Sequence, residues 1–208
     1  MLKLANLFVM ILGLGCSFSV KANSTAVDRR VNPPSSFEDL NPFDPHIEEK
    51  LKAIDEDYEK QTGQSPFLLP DENTPDCYRM TCSVYAVVDK TQQKMFLYLK
   101  GQQIGEYLVS TGVPGYTTPD MDTHPNGRIY DAYTSVHFPG GDYHGLGNMP
   151  YAVFIQGGFA IHGTTQGNWP KLGHVASHGC IRLYPDNGKI FNRLVREYGV
   201  KDVWVTVD

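Results

Sequence analysis

From Ser83 onward the apolar residues recur with the period of strands. Val84-Tyr85-Ala86-Val87-Val88, Met95-Phe96-Leu97-Tyr98-Leu99 and Ile104-Gly105-Glu106-Tyr107-Leu108-Val109 are separated only by Lys90-Thr91-Gln92-Gln93 and Lys100-Gly101. Short runs joined by such turns predict an antiparallel meander. Tyr151 to Gln156 and Phe159 to His162 add two strands about the turn Gly157-Gly158, which places His162 at a strand end, emerging from the core. Asp186 to Glu197 carries Ile190, Phe191, Leu194 and Val195 at helical spacing and stops at Gly199, and Val203 to Val207 closes as a strand. The 208 residues, 41% of them hydrophobic, suffice for one well-buried core. The expected fold is mainly β with flanking helices, a sandwich-type mixed sheet.

The chemistry concentrates in Ser177-His178-Gly179-Cys180-Ile181-Arg182-Leu183, with Ile161-His162-Gly163 sixteen residues upstream, histidine to histidine. A cysteine attacks carbonyls as thiolate, so it needs a base or a cationic neighbour, and His162 supplies either. Gly179 places no side chain beside the sulfur, so backbone N–H groups of Gly179 and Cys180 can approach a developing oxyanion. Arg182, two residues beyond Cys180, leaves the same face of an extended segment, where a guanidinium binds carboxylates. Two plainer readings stand beside this one. His162, His178 and Cys180 could bind zinc with His144 or His174, but no Cys-x-x-Cys or His-x-x-x-His pair anchors such a set. Each residue alone could also be an inert core residue.

The stretch from Ile161 to Leu183 resembles the active-site signature of the L,D-transpeptidases of bacterial cell walls, the YkuD or ErfK type. The likeness extends through Ser110-Thr111-Gly112, Thr118-Pro119, Met149-Pro150-Tyr151-Ala152-Val153-Phe154 and Tyr184-Pro185-Asp186-Asn187, and so covers residues 83–208. By this resemblance Cys180 is the nucleophile and His162 the general acid/base. Ser177, His178 and Gly179 shape the oxyanion site and orient the histidine, while Arg182 and Gly163 meet substrate. The implied reaction is acyl transfer on peptidoglycan stem peptides: Cys180 expels the terminal D-alanine, and the thioester passes to an amine of a neighbouring stem or of an outer-membrane lipoprotein. Water as acceptor would give an L,D-carboxypeptidase or endopeptidase. The resemblance implies no cofactor and no metal, and it implies carbapenems as inhibitors. An inactive wall-binding protein is the reading from another class, against which intact Cys180 and His162 argue.

Upstream, Met1 to Ala22 has Lys3, an apolar run from Leu4 to Gly15 and the ending Val20-Lys21-Ala22, the pattern of a cleaved secretory signal. The run is too short for a transmembrane anchor. Lipid attachment at Cys16 is the alternative, with Gly13 where such motifs carry a bulky residue. Cleavage after Ala22 leaves 16 basic against 23 acidic residues, a charge of −7, which gives no footprint for nucleic acid or an anionic membrane. Export to the periplasm leaves Cys77, Cys82 and Cys180 in an oxidising compartment. Cys77 and Cys82 are close enough to bridge across a turn, sparing Cys180, or both stay reduced and buried. Such a bridge stabilises by only about 2 kcal/mol.

Residues 23–82 read as an Asn/Pro/Ser-rich arm followed by a helix, with Asp44 as N-cap, Pro45 at its first position and Gly63 as its stop. Ile47, Leu51, Ile54 and Tyr58 form an apolar stripe toward the main domain, opposite a solvated face that includes Glu48, Asp55 and Glu59. Thr111 to Pro150 holds seven glycines and five prolines among Tyr116, Tyr130, Tyr133, Phe138 and Tyr143. So long an irregular stretch reads as a lid or binding loop, its aromatics lining the substrate groove or forming a satellite core.

Overall fold

The three meander runs pair as antiparallel neighbours: β1 (Val84–Asp89) with β2 (Lys94–Leu99), and β2 with β3 (Gln102–Leu108). β1 also takes β8 (Val203–Val207) as a parallel partner, and β8 pairs antiparallel with β4 (Met121–Thr123), giving a sheet ordered β3-β2-β1-β8-β4. β4 lies inside the glycine- and proline-rich stretch, where three residues carry no periodicity and only pairing with β8 defines a strand. A second sheet sets β5 (Val153–Gln156) antiparallel to β6 (Phe159–Gly163), and β6 parallel to β7 (Ile181–Leu183). The computed structural model describes residues 42–63, 65–67, 76–135, 137–138 and 141–208. The expected signal segment, Cys16 and the arm through residue 41 lie outside the described residues. No helix among them is long and apolar enough to cross a membrane.

Alternation along the strands divides the apolar residues between two clusters. Val84, Ala86 and Val88 of β1, Met95 and Leu97 of β2 and Val203, Val205 and Val207 of β8 share one core with Val153, Ile155, Ile161, Ile181 and Leu183 of the smaller sheet. Phe191 and Val195 of α2 (Pro185–Tyr198) complete it, with Pro185 at the first helical position. The opposite face of the smaller sheet, with Phe154 and Ala160, is covered by Ile47, Leu51 and Ile54 of α1 (Ile47–Thr62) and by Tyr130, Tyr133 and Met149. Each buried aliphatic side chain of α1 contributes on the order of 2 kcal/mol, and this packing rather than intrinsic propensity holds the helix.

Two details of α1 depart from expectation. The helix begins at Ile47 with His46 as N-cap, because Asp44 spends its carboxylate on the His46 N–H at 2.8 Å and on Lys50 Nζ at 2.6 Å, closing a turn ahead of the helix. Asp55, assigned to the solvated face, is 2% exposed. It accepts from Arg128 Nε at 2.7 Å and from the Tyr130 hydroxyl, while Arg128 Nη1 also donates to Glu48 at 2.9 Å. A carboxylate can be buried only with such partners, and they come from a loop seventy residues away.

Candidate active site

β6 and β7 run in parallel with Ile161 opposite Ile181 and His162 opposite Arg182. Since Ile161 and Ile181 point into the main core, His162 and Arg182 emerge side by side on the other face. Cys180, one residue before β7, shares the face of Arg182 and packs against the α1 cluster. The three residues line a cavity of about 420 Å³ together with Ser177 and His178.

His162 is 3% exposed, and its Nδ1 lies 2.6 Å from the Gly163 carbonyl. A carbonyl only accepts, so Nδ1 carries the proton and Nε2 is left with its lone pair. Burial lowers the imidazole pKa from 6.5 to about 3, with Arg182 adding to the shift and the Gly163 carbonyl opposing it. The Cys180 sulfur contacts the Gly158 carbonyl at 3.5 Å. Burial pushes the thiol up, against an Ala160 backbone hydrogen bond and the Arg182 charge. The resting pair is therefore neutral thiol and neutral imidazole, not the lowered thiol expected from a histidine neighbour.

The loop that carries Cys180 is held by its own serine and by the Ser110–Thr118 segment. Ser177 Oγ donates to the Cys180 carbonyl at 2.5 Å and accepts from the Gly179 N–H at 3.2 Å. The Thr111 carbonyl accepts the N–H groups of Ala176 and Ser177, both at 2.9 Å. Thr118 Oγ1 donates to the Gly179 carbonyl at 2.7 Å and accepts the Gly112 N–H at 2.9 Å. Gly179 sits at φ +109°, a conformation that favours glycine, and an added Cβ would come within 3.1 Å of Phe159. The Gly179 N–H is thereby turned to Ser177.

The remaining residues singled out in the sequence fall into place around this pair. The His178 ring stacks on Phe138 at 3.8 Å and meets Tyr116 edge-on at 5.1 Å. Burial lowers its pKa, with Arg182, His137 and Lys171 adding to the effect. Arg182 Nη1 donates to the Ala176 carbonyl at 2.8 Å, and among the described residues no carboxylate pairs with it. Gly163 stands behind His162 rather than in the cavity wall, its N–H on the Pro150 carbonyl at 2.7 Å and its carbonyl on the imidazole. A disulfide joins Cys77 and Cys82, and Cys180 is the free cysteine among the described residues. No group of three His, Cys, Asp or Glu side chains there converges as a metal site.

Sequence reasoning left out several residues that line the cavity: Pro42 and Leu51 from the N-terminal segment, Asn148 and Met149 ahead of β5, and Lys171. The aromatics of the long irregular stretch divide between a satellite core and the wall of the cavity. Tyr130 and Tyr133 pack with Phe154 in the satellite core, while Tyr133 and Phe138 also line the cavity. Among the described residues no Asp or Glu lines it, so a protein of net charge −5 presents Arg182 and Lys171 to whatever binds there.

Comparison with known proteins points the same way as this geometry. The family model of the L,D-transpeptidase catalytic domain, YkuD, matches residues 83–205. Among solved structures, an L,D-transpeptidase in complex with imipenem is 20% identical, with 61% of this chain and 59% of that chain covered and a TM-score of 0.50. An L,D-transpeptidase from Mycobacterium smegmatis is 21% identical, covering 61% of this chain and 59% of its own, with a TM-score of 0.48. L,D-transpeptidase 3 from Mycobacterium tuberculosis, bound to a faropenem-derived adduct, is 22% identical over 61% of this chain and 60% of its own, with a TM-score of 0.48. The chain thus spans about three fifths of the length of these solved chains. No curated protein matches the chain. With residues 83–205 matched, the chain belongs to the YkuD family of L,D-transpeptidase catalytic domains.

Proposed function

We propose that the chain is an exported, cysteine-dependent peptidoglycan L,D-transpeptidase. The observation that carries the reading is the sharing of one cavity by a free thiol, Cys180, and a histidine, His162, whose Nδ1–H is fixed on a carbonyl so that Nε2 is available as base. Cys180 Sγ attacks the carbonyl at the L-centre of the third stem residue as His162 Nε2 takes the thiol proton. The C–N bond to the terminal D-alanine breaks, the proton leaves with the departing amine, and the stem is held as a thioester. An acceptor amine then attacks the thioester, gives a proton to His162, and the thiol is restored.

Burial makes the electrostatics differential. Neutral thiol and imidazole are favoured at rest, and the Cys180 N–H becomes valuable when negative charge develops. Arg182 and Lys171, in a cavity that no acid among the described residues lines, suit the carboxylate of a stem donor. The acceptor is an amine of another stem or a lysine of an outer-membrane lipoprotein. The Cys77–Cys82 disulfide supports an oxidising compartment, in keeping with a signal segment over 1–22 and a periplasmic address.

Mass spectrometry of stem-peptide products after incubation with purified protein tests the reading. Crosslinked or exchanged stems are expected, and they should vanish in Cys180→Ala. Tripeptide alone would assign hydrolysis at the same bond, and unchanged tetrapeptide would overturn the assignment.

A further inference from the structure

Among the described residues only two buried polar side-chain atoms lack a hydrogen-bond partner, the Tyr133 hydroxyl and His178 Nδ1, and both residues line the cavity that holds Cys180. His178 belongs to the signature already described. Tyr133 does not, and its hydroxyl needs a separate explanation.

The side chain is 8% exposed, with its ring 5.0 Å from that of Tyr130 and 5.4 Å from that of Phe154. Its backbone is pinned on both sides, the N–H to the Leu146 carbonyl at 3.1 Å and the carbonyl from the Met149 N–H at 2.9 Å. Tyr130, three residues earlier in the same cluster, gives its hydroxyl to Asp55; Tyr133 has no such partner. Phenylalanine would fill the same space and spare the fold a buried, unsatisfied hydroxyl, which is a net cost to stability. Tyr133 belongs both to the α1 cluster, against which Cys180 packs, and to the lining of the cavity.

We propose that the Tyr133 hydroxyl hydrogen-bonds the acyl donor bound in this cavity, making Tyr133 a substrate-contacting residue of the reaction. The assignment rests on the transpeptidase reading above. A donor lying against Cys180 brings peptide carbonyl and carboxylate oxygens to a hydroxyl that has no other acceptor, so the bond forms only in the complex. Burial holds the phenol protonated, so it stays a donor. The site thereby keeps a polar group dry and unpaired until substrate satisfies it, and a group missing its partner in the free protein discriminates strongly against ligands that cannot supply one.

Tyr133→Phe keeps the ring and tests this with three measurements. Thermal unfolding should move up by about 3 °C as an unpaired hydroxyl is removed. Acylation by a tetrapeptide stem should fall by about 10- to 100-fold. Alkylation of Cys180 by iodoacetamide should stay within about twofold, because the hydroxyl acts on the donor and not on the sulfur. A lowered Tm would show that the hydroxyl is partnered within the free fold, unchanged acylation that it touches nothing in the complex, and an equal loss of alkylation that it acts on the thiol. Each of these overturns the assignment. Wild-type protein that is not acylated at all would overturn the transpeptidase reading itself, and with it this role for Tyr133; the absence of a reference rate distinguishes that case.

Discussion

His162 and Arg182 are register partners across the parallel strands β6 and β7, so imidazole and guanidinium leave the sheet side by side although twenty residues separate them in the chain. The cation beside His162 helps burial keep the imidazole uncharged. A cationic histidine could accept no proton, so this juxtaposition leaves Nε2 able to take one.

Cys180 should be the one residue that carries the acyl group. Incubation with a carbapenem, a strained carbonyl electrophile, should give one covalent adduct on Cys180, mapped by peptide mass spectrometry, and none in Cys180→Ala. An adduct that survives the substitution would place the nucleophile elsewhere.

The two signature histidines should separate. His162→Ala should lose about two to four orders of magnitude in carbapenem acylation near neutral pH. Raising the pH should restore part of it as the thiol ionises unaided, and because burial pushes that thiol above its ordinary 9.0, recovery begins only in strongly alkaline buffer. His178→Asn should retain more activity, since that ring is held by Phe138 and Tyr116. Acylation rates against pH for both variants check this, and a faster His162→Ala at pH 7 would reverse the roles.

Stability should fall on mild acidification. His162 binds its proton at about pH 3 when folded but near 6.5 when unfolded, so between these values the unfolded chain holds the extra proton. The contribution is complete above pH 6.5 and is lost as pH falls toward 3. Urea unfolding at pH 7 and pH 5 should show a loss at the lower pH that shrinks in His162→Gln; an unchanged difference would mean that other groups cause it.

The ion pair under α1 should behave as a buried one. Asp55→Asn leaves Arg128 underpaired and should lower stability by about 3 kcal/mol in urea unfolding. Asp55→Leu combined with Arg128→Met, which removes both charges, should recover part of that loss. A double variant as weak as Asp55→Asn would show that the charges themselves, not their pairing, support the docking of α1 and its Leu51 at the cavity.

Local features of the sequence determined much of this protein. Strand period gave β1, β2, β3, β5, β6 and β8, and helical spacing over Ile190 to Val195 gave α2, because both periods are set within a few residues. The signature similarly groups Cys180, His162 and Arg182, which the structure brings to one cavity. Tertiary structure decided the rest. β4 exists through its pairing with β8, and Asp55 is buried only because Arg128 and Tyr130 reach it. The neutral state of Cys180 and His162 and the unpartnered hydroxyl of Tyr133 follow from burial, which depends on the elements that pack over a residue and not on its sequence neighbours.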